Sequence, residues 1–227
     1  MTFTQIQARV QQIVQDTSGT NLLNIQNWIN DGQQDFASRC QFWPWLLSSS
    51  TFPTVSNSNT YSLSSDVHSI INLRDETNNA FIAETDRKVF ELAFPYVNQS
   101  TDVNAPTQWF RFGVGSSGCI QIKLHPVPAG VYTIRYDYYK EITDMSGSTD
   151  VSVIPSRYHK ALISYAVTKY FEMKQDPMAD YHSTQYENEV YKAISDTSES
   201  DNQAMMIPGK RIGHAAKSVA DEYFLRL

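Results

Sequence analysis

One histidine stands among several carboxylates in the stretch KQDPMADYHSTQYENEV, residues 174–190, where Asp176, Asp180, Glu187 and Glu189 surround His182. Such a set could in principle hold a metal ion or move a proton. The spacing argues otherwise, because side chains meet on a helix surface at separations of three or four. His182 lies two residues from Asp180 and seven from Glu189, and neither spacing makes a ligand pair. Asp176 followed by Pro177 reads instead as a helix cap and the proline suited to the first helical position. Asp180 then falls in the first turn, favoured by the helix dipole, and Glu189 pairs on the surface with Lys192. Ala179, Tyr186, Val190 and Ala193 form an apolar stripe behind them. The segment is expected to be the hinge of a helical hairpin.

Other chemistry is tested the same way. Gly113, Gly115 and Gly118 spell the dinucleotide fingerprint, with Asp137 as the later acid. That motif needs a helix to open at the last glycine so that phosphates meet free N–H groups. Here CIQIKLHPVP follows, a strand pattern, so the glycines are expected in a hairpin loop. There is no G-x-S-x-G elbow, and His68, His125, His159, His182 and His214 are scattered singly. No C-x-x-C, H-E-x-x-H or D-x-D-x-D-G spacing offers a metal site. Cys40 and Cys119 read as reduced and buried. The expectation is no catalytic, cofactor-binding or metal-binding residues, no cofactor, and no enzymatic activity.

The 227 residues suffice for one large or two small domains, and the net charge of -6 speaks against a dedicated nucleic-acid binder. Only 19% of residues are charged; polarity rests on Ser, Thr, Asn and Gln, beside 13 Tyr and 11 Phe. No basic leader and no long apolar run occur, so a soluble protein made in a cytoplasm is expected, for which the sequon at Asn98 is without meaning.

The elements that must position these residues fall into four segments. Residues 1–47 carry two helices, one with Phe3, Ile6, Val10, Ile13 and Val14 at helical spacing, the other over 21–42 with Leu22, Ile25, Ile29, Gly32, Phe36 and Cys40 on one face. Gly32 permits close approach of another backbone. Pro44 in FWPWLL ends the second helix, and Phe42, Trp43 and Trp45 anchor it. Residues 48–155 change to period two: TYSL, SIINLR, AFIAE, QWFRFG, CIQIKLHPV and GVYTIRYDYYKEI read as strands, with a short helix at DRKVFELAF. Residues 156–198 return to a helix pair, capped at Ser156, with Ile163, Ala166, Val167, Tyr170 and Phe171 as a stripe. Residues 199–227 form an extended arm. The expected fold is α+β: a helical bundle from N-terminal and C-terminal helix pairs, a central antiparallel β-rich insertion, and a C-terminal arm.

Two surfaces could bind partners. In the arm, Lys210 and Arg211 with His214 and Lys217 suit a solvated tail or an acidic protein partner better than DNA, since so few cations hold phosphate weakly at physiological salt. Tyr223, Phe224 and Leu225 at the chain end have no core of their own and suit either an anchor into a neighbouring chain or docking on the chain's own body. In the β region, an exposed Trp109 beside YDYYK (136–140) would make a ligand platform, against which stands the simpler reading of tyrosines packing across strands.

The N-terminal helix pair with its FWPW exit, the β insertion, and the run from RYHKALISYAVTKYF through EMKQDPMADYHSTQYENEVYKAI resemble the head-to-tail adaptor (connector, or tail tubular) proteins of tailed bacteriophages, closest to those of short-tailed phages. The resemblance covers residues 1–198. It implies a structural virion protein of the neck, a ring of twelve copies joining portal to tail or nozzle, with DNA passing through as cargo and no membrane. On that reading Lys210, Arg211, Tyr223, Phe224 and Leu225 are portal-binding candidates. The alternatives are a stopper or tail-completion protein, and a carbohydrate- or ligand-binding β module with helical decoration.

Overall fold

The computed structural model describes residues 1–16, 19–40, 42–93, 102–115, 118–201, 206–207 and 210–211. Helices α1 (Phe3–Val14) and α2 (Leu22–Ser38) are followed by strands β1 (Leu47–Pro53), β2 (Thr60–Ser62), β3 (Val67–Asp75) and β4 (Ala80–Glu84). Then come α3 (Arg87–Ala93), β5 (Val103–Asn104), β6 (Gln108–Val114), β7 (Ile120–His125), β8 (Val127–Pro128) and β9 (Thr133–Lys140). The long helices α4 (His159–Lys174) and α5 (Met178–Asp201) close the body, and a short ribbon, β10 (Met206–Ile207) with β11 (Lys210–Arg211), lies in the arm. The chain divides into two compact units, one formed by Met1–Trp45 with Ile142–Leu227, the other by Leu46–Glu141.

In the first unit α4 is the central helix, packed by α1, α2 and α5. Its sequence HKALISYAVTKYFEMK buries Ala161, Leu162, Ile163, Ser164, Ala166, Val167 and Tyr170, more of its circumference than a single stripe, as an interior helix must. Gly32 is the point of closest approach: a Cβ there would sit 2.9 Å from the Tyr165 ring on α4. The close neighbour is thus a side-chain ring, where another backbone was expected. α1 opens with a complete capping box, Thr2 bonding the Gln5 amide and Gln5 returning to the Thr2 backbone. It ends at Gln15 in the left-handed region, φ 53°, ahead of Ser18-Gly19.

The chain returning after β9 is held on α2 by side-chain amides. Asn30 exchanges two hydrogen bonds with the Met145 backbone, each 3.0 Å. Gln33 Nε2 donates to Thr143 O and Gln34 Nε2 to Ile142 O, at 3.0 and 3.1 Å. α2 thus offers its polar face as a substitute strand edge. Further on, the Asp150 carboxylate accepts the backbone N–H groups of Ser146 and Gly147, at 2.9 and 2.7 Å, while Asp150 O accepts Phe3 N at the start of α1.

Those N–H groups hold the Asp150 carboxyl below the usual carboxylate range. A depressed folded-state pKa stabilises the fold above the unfolded value near ~4 and ceases to as pH falls through the folded one. Asp150→Asn is therefore expected to be less stable than wild type at neutral pH, with the gap closing below about pH 4. Thermal melts from pH 7 to 3 check this, and a gap that does not depend on pH would count against it.

The second unit is a seven-stranded sheet in the order β1-β9-β3-β4-β6-β7-β2. All neighbours are antiparallel except β4 and β6, which run parallel. This overturns the expectation of a helical bundle carrying an antiparallel insertion: the sheet is mixed, curled into a half-barrel, and dominates the core. The physical reason lies in α3, which carries the chain from β4 across to β6. A helical crossover is what a parallel pair requires, whereas a hairpin would have reversed direction. β5 and β8 form a second parallel pair, Val103 opposite Val127.

Curling follows from what the inner face buries. Ile70, Leu73, Ile82, Trp109, Ile122, Leu124, Ile134, Tyr136 and Tyr138 make one cluster, with Phe52 of β1 and Tyr61 of β2 packed against it. Phe52 and Tyr61 belong to the two outermost strands, yet their rings lie 5.0 Å apart. A flat sheet of this width would hold them far apart, at nearly 5 Å per strand.

Candidate interaction surfaces

The hinge reading of residues 174–190 holds. α4 ends at Gln175 in the left-handed region, φ 55°, and Asp176 Oδ1 accepts the Met178 N–H at 2.8 Å. Tyr186, Val190 and Ala193 are buried as expected, whereas Ala179 is half-buried. His182 stacks on Phe171 at 5.6 Å and 11°, and burial lowers its pKa. Glu189 pairs with Lys160 of α4, Nζ to Oε1 3.2 Å, so the expected partner Lys192 is replaced by one across the hairpin. Among the described residues no group of three or more His, Cys, Asp or Glu could hold a metal ion.

The glycine string lies in the β6–β7 hairpin, with Gly115 N donating to Cys119 O at 2.9 Å and Gly118 at φ +79°. Cys119 at this hairpin mouth is half-exposed, unlike Cys40, which is buried as read. The other described histidines are placed separately. His125 is buried with Nε2 3.2 Å from Asp102 Oδ2, His159 is buried with Nε2 2.8 Å from Ile154 O, and His68 is exposed. Burial lowers the pKa of His125, against the pull of Asp102, and lowers that of His159.

The ligand platform is overturned. Trp109 is 1% exposed in the middle of the sheet core, and Tyr136 and Tyr138 are buried beside it. Alternation in YDYYK places these rings on the inner face of β9, where they fill the curl.

One polar cluster was missed from sequence because its members come from both ends of the chain. Arg39 at the end of α2 bonds Asp35 Oδ2 through Nε at 3.0 Å and Glu187 of α5 through both terminal nitrogens, at 3.4 and 3.0 Å. The Tyr186 hydroxyl donates to the same Asp35 oxygen. The hydrogen-bonded cluster joins α2 to α5. Its half-exposed charges and buried phenol suit a structural clamp.

What the surface does expose is apolar and backbone material. Phe81, Leu92 and Val114 stand out from the second unit, with Leu92 84% exposed. β1 is an outermost strand whose outer edge meets no strand among the described residues. Of the arm candidates, Lys210 and Arg211 form β11, in register with Ile207 and Met206. Tyr223, Phe224 and Leu225 lie outside the described residues. No helix among the described residues is long and apolar enough to cross a membrane. The model of one protein family, described as SU10 adaptor protein, matches residues 1–208, and no curated protein matches the chain.

Proposed function

The chain belongs to the SU10 adaptor protein family, a family with a structural role in phage particles, and from that premise we propose that it is a ring-forming head-to-tail adaptor of a phage neck. A ring of twelve copies sits between portal and tail or nozzle, in the virion after assembly in the host cytoplasm, and DNA passes through it during ejection. No enzymatic step is involved. The observation that carries this reading is the family match, which spans 1–208 of the 227 residues and so takes in both compact units.

The arm is the portal-binding part. Tyr223, Phe224 and Leu225 supply apolar area at the chain end, and Lys210 with Arg211 supply charge. Buried aromatic anchors carry a large share of binding energy, at about 2 kcal/mol or more each. Replacing Tyr223, Phe224 and Leu225 together by serine is expected to weaken portal binding by about a hundredfold or more while leaving the far-ultraviolet circular dichroism unchanged. The net charge of -6 suits a channel through which DNA must slide, since cationic walls would hold the phosphates. Acidic side chains are expected to line the bore.

Electron microscopy of the purified chain, alone and mixed with the portal of its own phage, tests the reading. A twelve-fold ring capping the portal, with an acidic lumen, is the expected result. A chain that stays monomeric and ignores the portal would overturn it.

A further inference from the structure

Among the incomplete β structures of the described residues, an edge strand and a ribbon bear on assembly. β1 is a seven-residue edge strand, LSSSTFP, paired to β9 over its full length without a register shift. Edge strands are ordinarily guarded by shortness, by charged side chains, by a bulge or by proline. The other outermost strand, β2, has only three residues. β1 is long and carries no charge, and its one proline stands at its last position. An unguarded edge of this kind is a template for another strand.

The second is the ribbon of β10 and β11, which consists of two residue pairs, Met206 with Arg211 and Ile207 with Lys210. The residues between them are Pro208 and Gly209, types that suit a tight turn. A two-stranded ribbon is marginal in water and needs a third strand or a packed face to persist. Each structure lacks what the other has: the ribbon needs a strand beside it, and β1 needs a cover.

We propose that the β10–β11 ribbon of one copy adds to the outer edge of β1 in the next copy, so that the arm stitches neighbouring protomers together. The contact is heterologous, joining two different surfaces, and a repeated heterologous contact closes into a ring when its rotation permits. Main-chain hydrogen bonds supply the affinity. The neutral β1 sets no charge against Lys210 and Arg211 of the ribbon, so charge introduced on β1 probes the contact. Reach sets a condition: the five peptide steps from Asp201 to Met206 span at most about 18 Å, so the receiving edge lies within that distance of the end of α5. The inference deepens the adaptor reading and rests on it for ring closure. It concerns the arm between the body and the portal-binding tip, which remain separate contacts.

The test is a complementation experiment read by mass photometry, at a concentration where the wild-type chain self-associates. One variant ends at Asp201 and keeps β1. The other keeps the arm but carries Ser49→Lys and Thr51→Lys, two exposed positions of β1 where lysines would face the basic ribbon. Like charges placed opposite each other should weaken association about tenfold. The truncated variant alone is expected to be monomeric and the lysine variant to self-associate about tenfold more weakly than wild type, and their mixture is expected to give a one-to-one complex that grows no further. A companion with Ser49→Glu and Thr51→Glu, which perturbs the strand equally but offers the opposite charge, is expected to associate at least as tightly as wild type. Self-association of either variant at wild-type strength, a mixture that stays monomeric, or glutamates as disruptive as lysines would each overturn the inference and leave the adaptor reading standing. A wild-type chain that neither self-associates nor docks on the portal would overturn the reading as well.

Discussion

Replacing Trp43 by alanine is expected to destabilise the helical unit by about 3–5 kcal/mol. Trp43 is 0% exposed and lies between two rings, stacked on Phe36 at 5.3 Å and on Trp45 at 4.3 Å. Phe36 and Trp45 in turn both meet Tyr158, at 6.1 and 5.8 Å, so the indole fills the middle of a four-ring group. Its Nε1 donates to Ala37 O at 3.0 Å, beside the longer bond that the Cys40 N–H makes to the same carbonyl at 3.4 Å. Alanine removes the packing, opens a cavity and loses the indole hydrogen bond together. Natural domains are stable by only about 5–15 kcal/mol, so the loss takes a large share of the total. Trp43→Phe keeps a ring in the stack and gives up the hydrogen bond, and about 1–2 kcal/mol is expected. Urea unfolding followed by circular dichroism measures both; an alanine variant within 1 kcal/mol of wild type would refute the account.

That aromatic group was largely legible in the sequence, and the reason shows where the rest was not. FWPW announces itself by composition: proline stops a helix, and tryptophans must be buried somewhere. Phe42 shows the limit, for it was counted with the anchors and is 42% exposed. The elements with strong local signals were found nearly to the residue. AFIAE is β4, DRKVFELAF contains α3, and the Asp176-Pro177 cap stands where it was read. β1 was missed because LSSSTFP holds few residues that favour strands, and it is a strand through its pairing with β9. Ser156, read as the cap of α4, begins a single tighter turn instead, and Tyr158 occupies the cap position. The mixed sheet was hidden for a different reason: strand direction depends on which strands become neighbours, and local periodicity carries no information on that. Trp109 was offered as exposed because its alternation in QWFRFG fits either face of a strand, and only the curl decides which face is inside. The clamp of Arg39, Asp35, Tyr186 and Glu187 escaped because residues about 150 positions apart show no spacing to recognise.

That clamp gives the second large effect, and its size depends on pH. Tyr186 is 3% exposed, its ring meets Tyr165 edge-on at 5.2 Å, and its hydroxyl donates to Asp35. Burial first, and then the bond to the Asp35 carboxylate, push the phenol's pKa far above its ordinary value, because ionised Tyr186 would be a buried anion facing another. A folded-state pKa raised above the unfolded one gives stability that is fully present below the unfolded value, near ~10, and is lost as pH rises beyond it. The slope approaches about 1.4 kcal/mol per pH unit once the unfolded tyrosine is ionised and the folded one is not. Tyr186→Phe has no such titration. At pH 7 the variant is expected to be less stable by about 1.5–3 kcal/mol, the worth of a hydrogen bond to a charged group. Above pH 10 the difference should shrink, by about 1.4 kcal/mol at pH 11. Tyr158, Tyr165 and Tyr170 also have raised pKa values, mainly through burial, but they remain in both proteins and cancel in the comparison. Denaturant midpoints of the two proteins between pH 7 and 11 give the result directly, and parallel curves would sink it. Arg39 explains why the cluster holds at neutral pH: its guanidinium bonds both Asp35 and Glu187, so the two carboxylates are bridged instead of repelling. Losing Tyr186's proton puts a third negative group beside that one cation. The helices joined here, α2 and α5, come from the two ends of the chain, so loosening the clamp weakens the connection between α2 and the helix that leads into the arm.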